Sequence, residues 1–237
     1  MSARTVDWTA PRTTSDGAPP EGLRERKKRL MRQQLSDTAT EMFVERGFDA
    51  VRVSEVAEAC GVSEKTVFNY FPTKEALVLD IGEATEDALR SGFAEPGISP
   101  VQAMLKILGD QLDAVLSWLD QQEDPGAAIV KHRRFDALIQ STPSLRAYQR
   151  DMADGLVSVA AGILAERAGM SLGDPEPQIA ATALLGLWPI QFRALVKHLD
   201  VSRTRAEVEE AVLADVHRAA RLLENGLRSF AGATRTG

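Results

Sequence analysis

Residues 53–77 read VSEVAEACGVSEKTVFNYFPTKEAL. Two short segments with helical apolar spacing, about Ser54 to Cys60 and Ser63 to Phe71, meet at Gly61-Val62, and Pro72 stops the second. Two short helices joined by a tight turn that contains glycine describe a helix-turn-helix. Ala57, Ala59 and Cys60 are small enough to let the helices approach, and Gly61 gives the turn its backbone freedom. Five aromatic residues, Phe43, Phe48, Phe68, Tyr70 and Phe71, fall close together here. A domain of about 50 residues has little core and relies on such large side chains.

Upstream, Met31, Leu35, Ala39, Met42 and Phe43 form the stripe of an amphipathic helix, and Gly47 sits where a left-handed cap would close it. The approach to that helix is basic: Arg24, Arg26, Lys27, Lys28, Arg29 and Arg32 face a single acid, Glu25. The whole chain has a net charge of −6, and from Ile81 onward 21 acidic residues stand against 16 basic ones. A basic stretch on an acidic body either steers a polyanion to one end of the molecule or is a solvated helix face. Residues 1–22 contain Pro11, Asp16, Gly17, Pro19 and Pro20 without an apolar stretch, which predicts a disordered arm and no secretory signal.

Downstream, Thr73 can cap a helix carrying Leu77, Ile81, Ala84 and Ala88 that would run to about Gly92. Ser99-Pro100-Val101-Gln102 combines an N-cap serine, proline at the first helical position and a glutamine placed for a capping box. Its stripe is Val101, Leu105, Leu108, Leu112, Val115 and Leu119. Asp124-Pro125-Gly126 breaks the chain, and Thr142-Pro143 starts another helix. The last two helices are predicted from about Pro177 to Leu199, with a kink at Pro189, and from Thr204 to Phe230, where Thr204 and Glu207 suit a second capping box. No segment alternates as a strand does. The fold class is all-α: a three-helix domain containing the helix-turn-helix over 23–72 and a larger helical domain over 73–237.

Val208, Val212, Val216, Ala219, Leu223, Leu227 and Phe230 step by four and three, and the preceding helix is apolar on more than one side. Such a helix needs burial on both sides, which implies a second subunit. Leu184, Leu187, Val212, Val216, Ala219, Leu223 and Leu227 are therefore expected at a homodimer interface, the alternative being a thick monomeric core.

Several function classes fall away. A single cysteine, Cys60, permits no intrachain disulfide or multi-cysteine metal site and reads as a small buried hydrophobe. His132, His198 and His217 have no HExxH spacing. No glycine-rich phosphate loop or GxSxG elbow is present, so neither enzyme nor cofactor is expected. No uninterrupted apolar run approaches 18 residues, so a soluble cytoplasmic protein without membrane contact is expected.

Residues 24–80 resemble the DNA-binding domain of the TetR family of transcriptional regulators. The run Ala57-x-Ala59-Cys60-Gly61-Val62-Ser63-x-x-Thr66-Val67-Phe68-x-Tyr70-Phe71-x-x-Lys74-Glu75-x-Leu77 carries the resemblance. It implies that the helix from Ser63 enters the major groove of double-stranded DNA, with Glu64, Lys65, Thr66 and Asn69 facing bases. It also makes Tyr70 and Lys74 phosphate contacts, while Val67 and Phe71 pack. Three positions depart from the family pattern. Phe68 replaces a tyrosine and would touch a thymine methyl or pack. Arg52 stands where a capping threonine is usual, leaving Ser54 as cap and Arg52 as a phosphate ligand. Cys60 replaces alanine. The stretch from Arg24 to Arg32 would then be a flexible arm reaching adjacent backbone or minor groove.

The resemblance further implies a repressor of a palindromic operator, released by a small-molecule effector in the C-terminal domain, with the helix from Thr73 as lever. Candidate effector-lining residues are Trp118, Phe135, Tyr148, Met152, Trp188 and Phe192, with plain core the favoured reading for each taken singly. Lys131, His132, Arg133 and Arg134 would either meet an anionic effector or form a solvated face. Activation from the same operator and DNA binding without sequence preference are the alternatives.

Overall fold

The structure, a computed structural model, describes residues 22–79 and 82–224. They form ten helices: α1 (Leu23–Arg46), α2 (Val53–Ala59), α3 (Glu64–Tyr70), α4 (Gly82–Ala94), α5 (Pro100–Asp120), α6 (Pro125–Ser141), α7 (Pro143–Ala168), α8 (Pro175–Leu185), α9 (Leu187–His198) and α10 (Arg205–Glu224). No strand occurs among the described residues, and the all-α class holds. The expected arm over residues 1–22, apart from Gly22, lies outside them, as do Leu227 and Phe230.

The chain divides into two compact units, one of residues 1–81 with 130–149, the other of 82–129 with 150–237. In the first, Leu35, Ala39 and Phe43 of α1 pack with Val53, Val56 and Ala57 of α2, and with Val67 and Phe71 at α3. Ala76, Leu77, Val78 and Leu79 join the same core, so this unit continues past position 72. It also recruits Ile139 and Leu145, with Phe135, Leu138 and Tyr148 against its edge. Helical periodicity announces an apolar face without saying which core will take it, so this addition was not legible.

The helix expected from Thr73 to Gly92 is not continuous. Thr73 Oγ1 accepts the Ala76 N–H at 3.2 Å, but what it caps is a single 3-10 turn, Glu75–Leu77, and α4 begins only at Gly82. Ile81 lies outside the described residues. The burial of four consecutive residues, Ala76–Leu79, explains the interruption, since an α-helix cannot turn four successive side chains to one core.

In the second unit the predicted caps are in place. Ser99 Oγ accepts the Gln102 N–H at 3.2 Å while Gln102 Oε1 accepts the Ser99 N–H at 2.9 Å. Thr204 and Glu207 make the same reciprocal pair ahead of α10. Arg205, the first residue of α10, donates to Ser117 Oγ and to the carboxylates of Asp113 and Asp120 on α5. The apolar helix expected from Pro177 to Leu199 is two helices broken at Gly186. Pro189 accounts for the break: it has no N–H for the Leu185 carbonyl, and its ring clashes with that carbonyl. Together, Pro175–His198 are long and apolar enough to cross a membrane, with an 18-residue stretch of mean hydropathy 1.5, although no uninterrupted apolar run was evident. Within the unit they pack instead against α5 and α10.

Candidate nucleic-acid interface

The interface is built around a helix seven residues long, so its placement must come from its surroundings. Gly61 takes a left-handed conformation (φ 68°), and the Val62 and Gly61 N–H groups return to the Ala57 and Glu58 carbonyls at 2.9 and 3.0 Å. This closes α2 in a Schellman turn that a side chain at position 61 would strain. Ser63 then caps α3, its Oγ accepting the Thr66 N–H at 3.1 Å. Val67 and Phe71 are fully buried and fix the rotation of α3 about its axis. At its far end Arg32 of α1 donates Nη1 to the Tyr70 carbonyl at 2.7 Å and lays its guanidinium 4.6 Å from the Phe71 ring centre. Each end of the helix is thereby held by a side-chain hydrogen bond.

Glu64, Lys65, Phe68 and Asn69 occupy the outward face, all exposed. Other expected contacts are differently employed. The hydroxyls of Ser63 and Thr66 hydrogen-bond each other at 2.8 Å, which engages Thr66 within the cap. Tyr70 is half-buried against the core, and its carbonyl rather than its ring is held by Arg32.

Lys74 departs most from expectation. Its Nζ donates to the Phe48 carbonyl at 2.6 Å and lies 4.3 Å from the Phe48 ring centre and 5.4 Å from that of Phe43. Burial lowers its pKa, against the opposing pull of Asp49, Glu75 and Glu55. So placed, the ammonium clamps the loop after α1. Ser54 is not the cap of α2 either. Arg52 stands at the N-cap with an exposed side chain and donates its backbone N–H to Glu55 Oε2 at 2.7 Å. Glu55 Oε1 also accepts from Arg46 at 2.7 Å, and these contacts hold the carboxyl below its ordinary pKa. Glu55 thus supplies one half of a capping box, on the N–H of Arg52, while its own N–H goes to the Arg52 carbonyl at 3.1 Å.

The basic stretch forms the first turns of α1, not a flexible arm. Arg24, Arg26, Lys27 and Lys28 are exposed, while Arg32 turns inward. Sequence reasoning missed the role of Arg32, yet the signal was present: it lies three residues before Leu35, on the face α1 buries. A cation there needs a partner.

The six candidate effector-lining residues are divided between the two units. Phe135 and Tyr148 pack against the core of the first unit. Trp118, Met152, Trp188 and Phe192 are half-buried in the second. There Trp188 donates its indole N–H to Gln111 Oε1 at 2.5 Å, and Gln191 donates to the Leu108 carbonyl at 2.9 Å. These buried glutamines were passed over because they interrupt otherwise apolar stripes. The basic run on α6 is not one solvated face: Lys131 Nζ lies 3.7 Å from Glu41 Oε1, and burial pushes His132 down to about 4.

Four of the expected interface residues are corrected. Leu184, Leu187, Val212 and Val216 are 0–3% exposed within the unit and line its own core, leaving no surface for a partner. Ala219 and Leu223 are half-buried, and Leu227 lies outside the described residues. The apolar groups left on the surface of these helices are Ile179, 65% exposed, and Leu222, 82% exposed. Leu222 borders a groove of about 350 Å³ with Ile190, Ala194 and Ala219, rimmed by Arg193, Lys197 and Arg218. Asp215 in this groove accepts from His198, Lys197 and Arg218, which hold its carboxyl far below the usual range.

A helix-turn-helix with its polar face outward, followed by a second helical unit, defines a DNA-binding regulator. Residues 35–81 match the family described as bacterial regulatory proteins, tetR family, and residues 112–228 match the MftR C-terminal domain. The chain is 31% identical to the HTH-type transcriptional regulator TcmR of Streptomyces glaucescens, over 73% of this chain and 75% of that protein. It is 30% identical to MftR of Mycobacterium tuberculosis, whose name assigns it to mycofactocin biosynthesis, over 76% of this chain and 87% of that one. A solved TetR-family regulator from Mesorhizobium loti aligns with 21% identity and a TM-score of 0.44, over 83% of this chain and 98% of its own. The chain belongs to the TetR family of DNA-binding transcriptional regulators.

Proposed function

We propose that the protein is a homodimeric cytoplasmic repressor that reads a palindromic operator with α3 and leaves it when a small molecule occupies the second unit. The observation that carries this reading is the exposed row of Glu64, Lys65 and Asn69 on a helix whose ends and rotation are fixed by buried groups. A helix held in this way presents donors and acceptors to base edges without first having to be ordered. Arg52 supplies a phosphate contact from the N-cap of α2, and the exposed cations of the first α1 turns supply others. No catalytic role is assigned.

The dimer surface is revised to the outward groups of α8–α10, with Ile179, Ile190 and Leu222 in place of the buried leucines and valines. Two copies related by a two-fold axis place two α3 helices on successive half-sites. The effector is sought among Trp118, Met152, Trp188 and Phe192, near the polar pair Gln111 and Gln191. α6 and α7 each run from one unit into the other, so they are the covalent route by which occupancy changes the first unit.

The test is selection of bound duplexes from a random library by the full chain, with sedimentation velocity of the protein alone and on the selected duplex. A dimer, an inverted repeat in the selected pool and a preference of about 10³-fold over scrambled duplex are expected. An unenriched pool would sink the sequence-reading claim, and a monomer on DNA would sink the two-fold claim.

A further inference from the structure

The outward face of α3 carries two rows. Lys65 and Asn69 stand one turn apart, as do Glu64 and Phe68, and the rows lie about 100° apart around the axis. The remaining outward pair is otherwise engaged, Thr66 with Ser63 and Tyr70 with the core. The two rows differ sharply in chemistry. An ammonium and a carboxamide are the groups that meet purine edges, lysine at guanine O6 and N7 and asparagine at adenine N6 and N7. A carboxylate only accepts, and in the major groove its usual partner is the cytosine N4 amino group. A phenyl ring does neither, and the apolar group of the major groove is the thymine 5-methyl. Phe68 is 44% exposed, with no hydroxyl to offer a phosphate, so it has ring surface to bury on such a group.

Resting on the reading of α3 above, we propose that each operator half-site contains a short purine·pyrimidine tract. Its purine strand meets Lys65 and Asn69, and its pyrimidine strand meets Glu64 and Phe68, with the Phe68 ring on a thymine 5-methyl. One turn along α3 spans about 6 Å, close to two base steps, so the two side chains of each row meet bases two steps apart on their own strand. Glu64 gives the arrangement its selectivity, because a carboxylate facing guanine O6 and N7 meets two acceptors and no donor.

Selected duplexes with each thymine replaced in turn by uracil, which removes only the methyl group, test the proposal by anisotropy at fixed salt. One thymine per half-site should weaken wild-type binding about fourfold when replaced. The same replacement should leave Phe68→Ala unaffected. Selected half-sites should also carry purines on one strand across the central positions. If no uracil replacement weakens the wild type, or if purines and pyrimidines alternate there, the two-row reading is wrong. The uracil series on wild-type protein decides the matter even if Phe68→Ala folds poorly. Lys65→Ala and Asn69→Ala on the same duplexes separate the two levels. If they reduce the preference while uracil does nothing, only the two-row reading falls. If they change nothing, the assignment of α3 falls with it.

Discussion

α3 and α10 are both amphipathic helices with hydroxyl N-caps and a buried apolar row, but their polar faces serve different purposes. On α10 the charged groups close inward, Arg205 on the α5 carboxylates and Asp215 on Lys197, His198 and Arg218. On α3 the side chains of Glu64, Lys65 and Asn69 make no hydrogen bond or ion pair among the described residues, while residues behind the helix hold it. The difference separates a helix that fixes a fold from one that presents a surface. Position on a helix does not make that distinction; the partners do.

The largest effect should come from breaking the core of the second unit, where α8 packs with α10. Leu184→Ala should destabilise the second unit by about 2–5 kcal/mol, because the residue is fully buried. Ile179→Asp with Leu222→Asp should leave the thermal melt of dilute protein nearly unchanged while shifting sedimentation toward monomer. Equal loss of stability from both changes would return the interface to the originally expected residues.

A pH series tests the burial of the part of α6 that belongs to the first unit. His132 titrates at about 4 in the folded chain because burial disfavours its charge, against about 6.5 unfolded. Below the unfolded value the unfolded chain takes up the proton first, so stability is complete above pH ~6.5 and is lost as pH falls toward 4. The loss should reach about 2 kcal/mol at pH 5, read from urea midpoints, and His132→Gln should flatten it. Asp136, whose pKa burial raises, works in the opposite direction and reduces the slope.

Lys74 and Arg52 compare a cation held inside with one left outside. Lys74→Met should cost about 1–3 kcal/mol of stability, since the Phe48 carbonyl loses its donor, and should leave the salt slope of DNA binding unchanged. Arg52→Ala should leave the melt in place and lower that slope by about 1 per subunit. Exchange of these two outcomes would restore Lys74 as a phosphate ligand.

What was legible follows the range of the forces involved. The cap at Ser63, the turn at Gly61 and the capping boxes at Ser99 and Thr204 rest on neighbours within a few residues, and the sequence displays them directly. The inward turn of Lys74 depends on Phe43 and Phe48, far away in the chain, and the clamp of Arg32 on Tyr70 spans a similar separation. The valine row of α10 was legible as a buried row, but not as one already filled by its own unit. Pro189 was read as a kink, and the break falls at Gly186, one turn earlier, because a proline disturbs the carbonyl four residues before it.

The central claim is that the outward face of α3 reads bases and that the groups behind it only hold the helix. Competition anisotropy at fixed salt, with the selected duplex against a scrambled one, tests it for wild type, Lys65→Ala, Asn69→Ala and Lys74→Met. The account predicts that the first two variants lose about 1–3 kcal/mol of preference while Lys74→Met, at a temperature where it remains folded, keeps the wild-type ratio. An unchanged ratio for Lys65→Ala and Asn69→Ala, or a collapse confined to Lys74→Met, would contradict it.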